Sequence, residues 1–162
     1  MDQIIVGGTS NTLSTVDTTV EYNCICGGRT WTSTLECNQL VTISGEFSNL
    51  LVKVSAAPGV GDSWVFTFIK NDVATDIVVT ISGDAQTEGS DTEHSVAVAA
   101  GDTIKLKCET SGTTASSYAK WCVKFSGDTE NESLLLGGAD SAMEVDEPEW
   151  NWIHGTPKEI YL

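Results

Sequence analysis

At 162 residues and 17.2 kDa, with 23 Asp and Glu against eight Lys and Arg and a formal net charge of -15, the chain has the size of one domain with tails. A surface this acidic repels phosphate backbones and anionic lipid, which argues against nucleic acid and against membrane surfaces as partners and fits a highly soluble, abundant protein. No apolar run approaches about 18 residues, so no helical membrane span is expected, and MDQIIVGGTSNT lacks the basic region and apolar core of a secretion signal.

Gly, Ser and Thr are abundant, Pro occurs three times, and no stretch repeats apolar residues at the helical period. The chain therefore reads as all-β: an antiparallel jelly roll or β-sandwich of about eight strands, with extended N- and C-terminal arms. Residues 1–19 read as an extended arm with one apolar patch, Ile4-Ile5-Val6; residues 20–127 as the jelly-roll domain; residues 128–162 as an acidic linker and C-terminal arm. Strands are expected over 20–26, 31–35, 40–44 and 47–56, the last with Leu50, Val52, Val54 and Ala56 inward and Leu51, Lys53 and Ser55 outward. Ala57-Pro58-Gly59 then turns the chain into its most strongly patterned stretch, 63–82, where Trp64, Phe66 and Phe68 share one face and Ile77, Val79 and Ile81 answer them across Asn71-Asp72. With both faces partly apolar, this hairpin is expected at the centre of its sheet, not at an edge. Residues 83–92, GDAQTEGSDT, read as a polar surface loop. Strands follow over 94–98, 103–110 and 118–126, with Lys105, Lys107, Lys120 and Lys124 on the outward face of a hairpin spanning 103–126, a basic patch suited to the acidic C-terminal segment.

An internal repeat joins the two ends. Residues 4–28 contain IIVGGTS, Val16-Asp17 and EYNCICGG; residues 134–156 contain LLLGGAD, Val145-Asp146 and EWNWIHGT, in the same order. The repeat implies that Tyr22 and its neighbours on one side, and Trp150, Trp152 and Ile153 on the other, suit similar slots. Aromatic surface near a chain end is expected to dock, and a neighbouring subunit is the favoured acceptor. The assembly interface is accordingly expected at Ile4, Ile5, Val6, Tyr22, Trp150, Trp152 and Ile153.

Residues with catalytic chemistry are sparse. His94 and His154 are the only histidines, and no metal-dependent, phosphate-binding or nucleophile-elbow motif occurs, so neither an enzyme nor a cofactor is expected. The cysteines number five. Cys108 alternates with Ile104 and Leu106 whereas Cys122 alternates with Lys120 and Lys124, so the two are expected to be separate thiols. Cys24, Cys26, Cys37 and His154 lack the loop spacing of a zinc site, and Asp128 to Glu132 lacks the glycine of a calcium loop, so no metal is expected.

From Phe47 to Phe125, the succession FSNLLVKVSAAPGVGDSWVFTFIKND, IVVTISG, HSVAVAAGDTIKLKCETSG and WCVKF resembles a β-domain of bacteriophage and other viral structural and appendage proteins, similar in build to the C1q/TNF-like jelly rolls. The combination KND, VTISG, AAGD is its most specific part. The resemblance implies a trimeric module of a virion, made in the host cytoplasm, that joins copies of itself and a capsid or tail protein as a decoration, cement or fibre subunit. Two other readings stand beside it: a head-to-tail extracellular filament using a donated C-terminal strand, and a receptor- or glycan-binding module in which Trp31 and Tyr118 stack on sugar.

Overall fold

The computed structural model describes residues 2–9, 11–33, 37–130 and 132–136. These form β1 (Asp2–Gly8), β2 (Val20–Asn23), β3 (Gln39–Leu40), β4 (Gly45–Val54), β5 (Gly59–Lys70), β6 (Val73–Gly83), β7 (Glu88–Val98), β8 (Thr103–Ser111) and β9 (Ala119–Gly127). One sheet has the order β1-β9-β4-β7; the other has β2-β8-β5-β6, with β3 also pairing to β8. The antiparallel pairs are nested, β5 with β6, β4 with β7, β2 and β3 with β8, β1 with β9. Apart from the β2–β3 and β5–β6 links, every connection changes sheet, so the chain is one long hairpin rolled into two layers. That is a jelly roll, the architecture expected from the sequence.

The core lies between the layers and follows the period-two pattern of the strands. Phe47, Leu50, Val52 and Val54 of β4 and Trp121, Val123 and Phe125 of β9 face Trp64, Phe66 and Phe68 of β5, Ile77, Val79 and Ile81 of β6, and Ile104, Leu106 and Cys108 of β8. Phe47 packs between Phe68 and Phe125 at ring-centroid distances of 4.9 and 5.0 Å, and Trp31 lies against Trp121 at 5.5 Å. These tilted geometries suit ring quadrupoles.

The 63–82 hairpin forms as its pattern predicts. Asn71 and Asp72 both have positive φ, 49° and 63°, the backbone of a type I′ turn whose twist matches that of the strands. Its place in the sheet differs from expectation: β5 is interior, but β6 is the edge. The edge is capped by side chains from β7 and from the segment that leads into it. Asp91 accepts the Val78 N–H at 2.9 Å, and Gln86 accepts from the Ser82 N–H at 3.0 Å. An edge whose N–H groups are capped in this way resists pairing with a foreign strand.

Three further differences have plain causes. Residues 83–92 are not all loop, because β7 begins at Glu88 and pairs with Lys53 to Leu50. Its inward positions there are Gly89 and Asp91, which give no apolar signal. The expected strands at 31–35 and 40–44 reduce, among the described residues, to a bridge between Tyr22 and Thr32 and to β3. Finally, β8 and β9 are not a hairpin: the 112–118 loop carries the chain from one layer to the other, so the two strands belong to opposite sheets.

Candidate functional site

The KND and AAGD motifs meet at one end of the sandwich. Asn71 donates through Nδ2 to Asp102 Oδ1 at 2.7 Å, and its Oδ1 accepts the Thr103 N–H at 2.8 Å. Asp102 Oδ2 in turn accepts the Ala99 N–H at 2.8 Å and the Lys70 ammonium at 3.0 Å. The Ala99 N–H, with Asn71 and Lys70, holds the Asp102 carboxyl down at about 2. Asp72, on the other side of the turn, binds Lys105 Nζ, which holds its carboxyl below the usual range. Both turns therefore tie the ends of β5, β6, β7 and β8 into one unit. Two of the three motifs of the sequence resemblance, KND and AAGD, thus meet in one hydrogen-bonded clasp.

Lys105 is fully buried, with its ammonium 5.2 Å from the centre of the Tyr22 ring. It lies on the outward side of β8, as its parity predicts, but Tyr22 and Asp72 cover it. Lys107, also on that side, reaches Glu109 at 3.2 Å. Lys120 and Lys124 project from the outer face of the opposite sheet. The expected basic patch of four lysines is thus two separate pairs on opposite sides of the molecule, a correction that follows from the β8–β9 crossing.

Ile4, Ile5 and Val6 belong to β1, an edge strand of the body rather than a free arm. Ile5 is buried in the core, whereas Ile4 and Val6 are 62% and 61% exposed. Across the sheet, Val6 stands opposite Cys122, and Cys122 opposite Leu51, which is 44% exposed. Ile4 stands opposite Lys124, and Lys53 opposite Lys120. Lys124 reaches Asp2 and Lys53 reaches Glu88, each at 3.2 Å; Lys120 has no ion pair among the described residues. The outer face of the β1-β9-β4-β7 sheet therefore carries an apolar band across three strands, bordered by three cations. Sequence reading singled out Ile4, Val6, Lys120 and Lys124 but missed Leu51 and Lys53, which join them only through the register of β4 on β9. Trp150, Trp152 and Ile153 lie outside the described residues.

The recurring residues of the N-terminal repeat each hold structure. Glu21 accepts the Ser14 N–H at 2.7 Å, buried Asn23 donates to the Arg29 carbonyl at 3.0 Å, and Ile25 is in the core. Gly27, at φ 101°, bridges to Gly7, whose missing side chain leaves room for the Trp121 indole. Beyond β9 the chain returns to the same edge: Leu134 and Leu136 are buried, and the Leu134 backbone exchanges hydrogen bonds of 2.8 and 3.0 Å with the Gln3 amide.

His94 Nδ1 donates to Asp91 at 2.9 Å. Burial pushes the Asp91 carboxyl up, but the N–H groups of Val78, His94 and Glu93 and the His94 ring outweigh it and hold it at about 2; the same carboxylate raises His94. Cys108 is buried on β8 and Cys122 faces outward on β9, both as free thiols. Burial pushes Cys37 up to about 11 and Cys108 well above the ordinary thiol value, so neither is a ready nucleophile. Among the described residues no group of three His, Cys, Asp or Glu side chains is placed to hold a metal; His154 lies outside them. Trp31, 4% exposed and packed against Trp121, offers no face to a sugar. A scan against protein-family models finds no match to this chain, and a search of curated proteins finds none.

Proposed function

We propose that this chain is a non-enzymatic structural subunit of a virion, a jelly roll that decorates or cements a capsid or builds a tail fibre by joining copies of itself. One observation carries the reading: of the three motifs that make the resemblance to viral structural domains most specific, two, Lys70-Asn71-Asp72 and Ala99 to Asp102, are bonded to one another as a clasp of the fold. These residues of the resemblance thus have a part in building the body. The chemistry supports the same reading. His94 and Asp91, the pair that in another setting would serve as base and orienter, are committed to holding the β6 edge.

A head-to-tail filament is the second reading, favoured by the C-terminal repeat of residues 4–28. Electron micrographs of the purified complete chain distinguish the two. Closed particles of fixed order, trimers by the resemblance, are expected for a decoration or fibre subunit, and open threads for a filament. Dispersed single subunits at every concentration would overturn both.

A further inference from the structure

We infer that the outer face of the β1-β9-β4-β7 sheet is the receptor for the acidic, tryptophan-bearing C-terminal segment of a second copy of this chain. The inference rests on the self-association proposed above and specifies which surfaces meet. On the receiving side stand Ile4, Val6, Cys122 and Leu51, bordered by Lys53, Lys120 and Lys124. Those lysines are three of only eight basic residues in a chain of net charge -15. On the donating side, residues 137–162 hold Asp140, Glu144, Asp146, Glu147, Glu149 and Glu159 against Lys158, with Trp150, Trp152 and Ile153 following the acidic run. Apolar and charged features thus match in kind: aliphatic band to indoles, lysine border to carboxylates.

The charge balance selects a second copy as the donor. Two subunits each carrying -15 repel one another unless their contact brings opposite signs together. On this face Lys124 and Lys53 are paired with Asp2 and Glu88, and Lys120, which has no ion pair among the described residues, is the cation left to meet the acidic segment. Reach is sufficient: Leu134 is bonded to Gln3 of β1, Leu136 is buried, and the 14 residues from Leu136 to Trp150 span up to about 45 Å when extended. A donor patch that differs from the receptor patch makes the contact heterologous, so it closes into rings or runs on as threads.

Two complementary variants test this. One carries Lys120→Glu and Lys124→Glu with the C-terminal segment intact; the other ends at Leu136 with its face intact. Circular dichroism checks that each keeps the fold, and Trp150→Ser/Trp152→Ser in the complete chain serves as a second donor-side variant. Each alone is expected to associate at least tenfold more weakly than the natural chain, and that association is expected to weaken with added salt. Mixed, the first two are expected to form a 1:1 complex, because one retains the donor and the other the receptor. A natural chain that associates while the lysine reversals change nothing and the mixture stays apart would overturn the inference and leave self-association standing. Tryptophan emission that shifts with the lysine reversals yet is independent of concentration would place the segment on its own face and also overturn it. A natural chain that remains monomeric throughout would overturn the self-association reading itself.

Discussion

Asp91 and His94 show how far a few polar residues in this chain are committed to structure. Asp91, nearly buried and held at about 2, contributes stability that is complete above the unfolded carboxylate value near 4 and disappears as pH falls through about 2. The shift corresponds to about 2 kcal/mol. His94 has the opposite sign: its raised value stabilises below the unfolded histidine value near 6.5, and that part is lost as pH rises through the folded value. Melting temperature followed against pH is therefore expected to fall between about pH 4 and 2 in the natural chain, with a shallower fall in Asp91→Asn. In His94→Ala, the decline on the neutral side should vanish. Identical profiles for all three would contradict the bonding described. At the same scale, Trp121 packs against Trp31 and donates its Nε1–H to the Ile25 carbonyl at 2.9 Å. Trp121→Ala should cost about 3–5 kcal/mol in denaturant unfolding.

At the scale of elements, the strands announced by apolar alternation were legible and those made by polar residues were not. Trp64, Phe66 and Phe68 against Ile77, Val79 and Ile81 fixed the hairpin, and Asn71-Asp72 its turn, because both signals are local. The start of β7 was hidden, since Gly89 and Asp91 take the inward positions where apolar residues are expected. That β8 and β9 part company also lay beyond local pattern, because hairpin and crossover loops look alike; only the opposite parity of Cys108 and Cys122 hinted at it. The candidate face was half legible for the same reason: Ile4, Val6, Lys120 and Lys124 show in their own strands, whereas Leu51 and Lys53 join them by long-range register. Two substitutions probe the elements. Asn71→Ala removes the bonds to Asp102 and Thr103 and puts a Cβ without compensation at positive φ, and should cost about 2 kcal/mol. Asn71→Gly, which keeps the turn but not the bonds, should cost about half as much. Leu134→Ala, emptying a core position filled from outside the strands, should cost about 2–3 kcal/mol by the same unfolding measurement.

At the scale of the whole molecule, nested pairing means that β1 and β9, the first and last strands among the described residues, close the roll side by side. The described residues therefore begin and end at one sheet, the sheet whose outer face carries the apolar band and the three lysines. On the proposed reading, a body locked by the Asn71–Asp102 clasp carries on this sheet the face that receives the next copy. A net charge of -15 makes free copies repel one another, so the proposed contact requires opposite signs in register. Native mass measured on the complete purified chain, across a dilution series at low salt, tests this account most directly. It predicts a discrete higher mass, a trimer by the sequence resemblance, that dissociates on dilution or with salt. A single subunit mass at every concentration would contradict it.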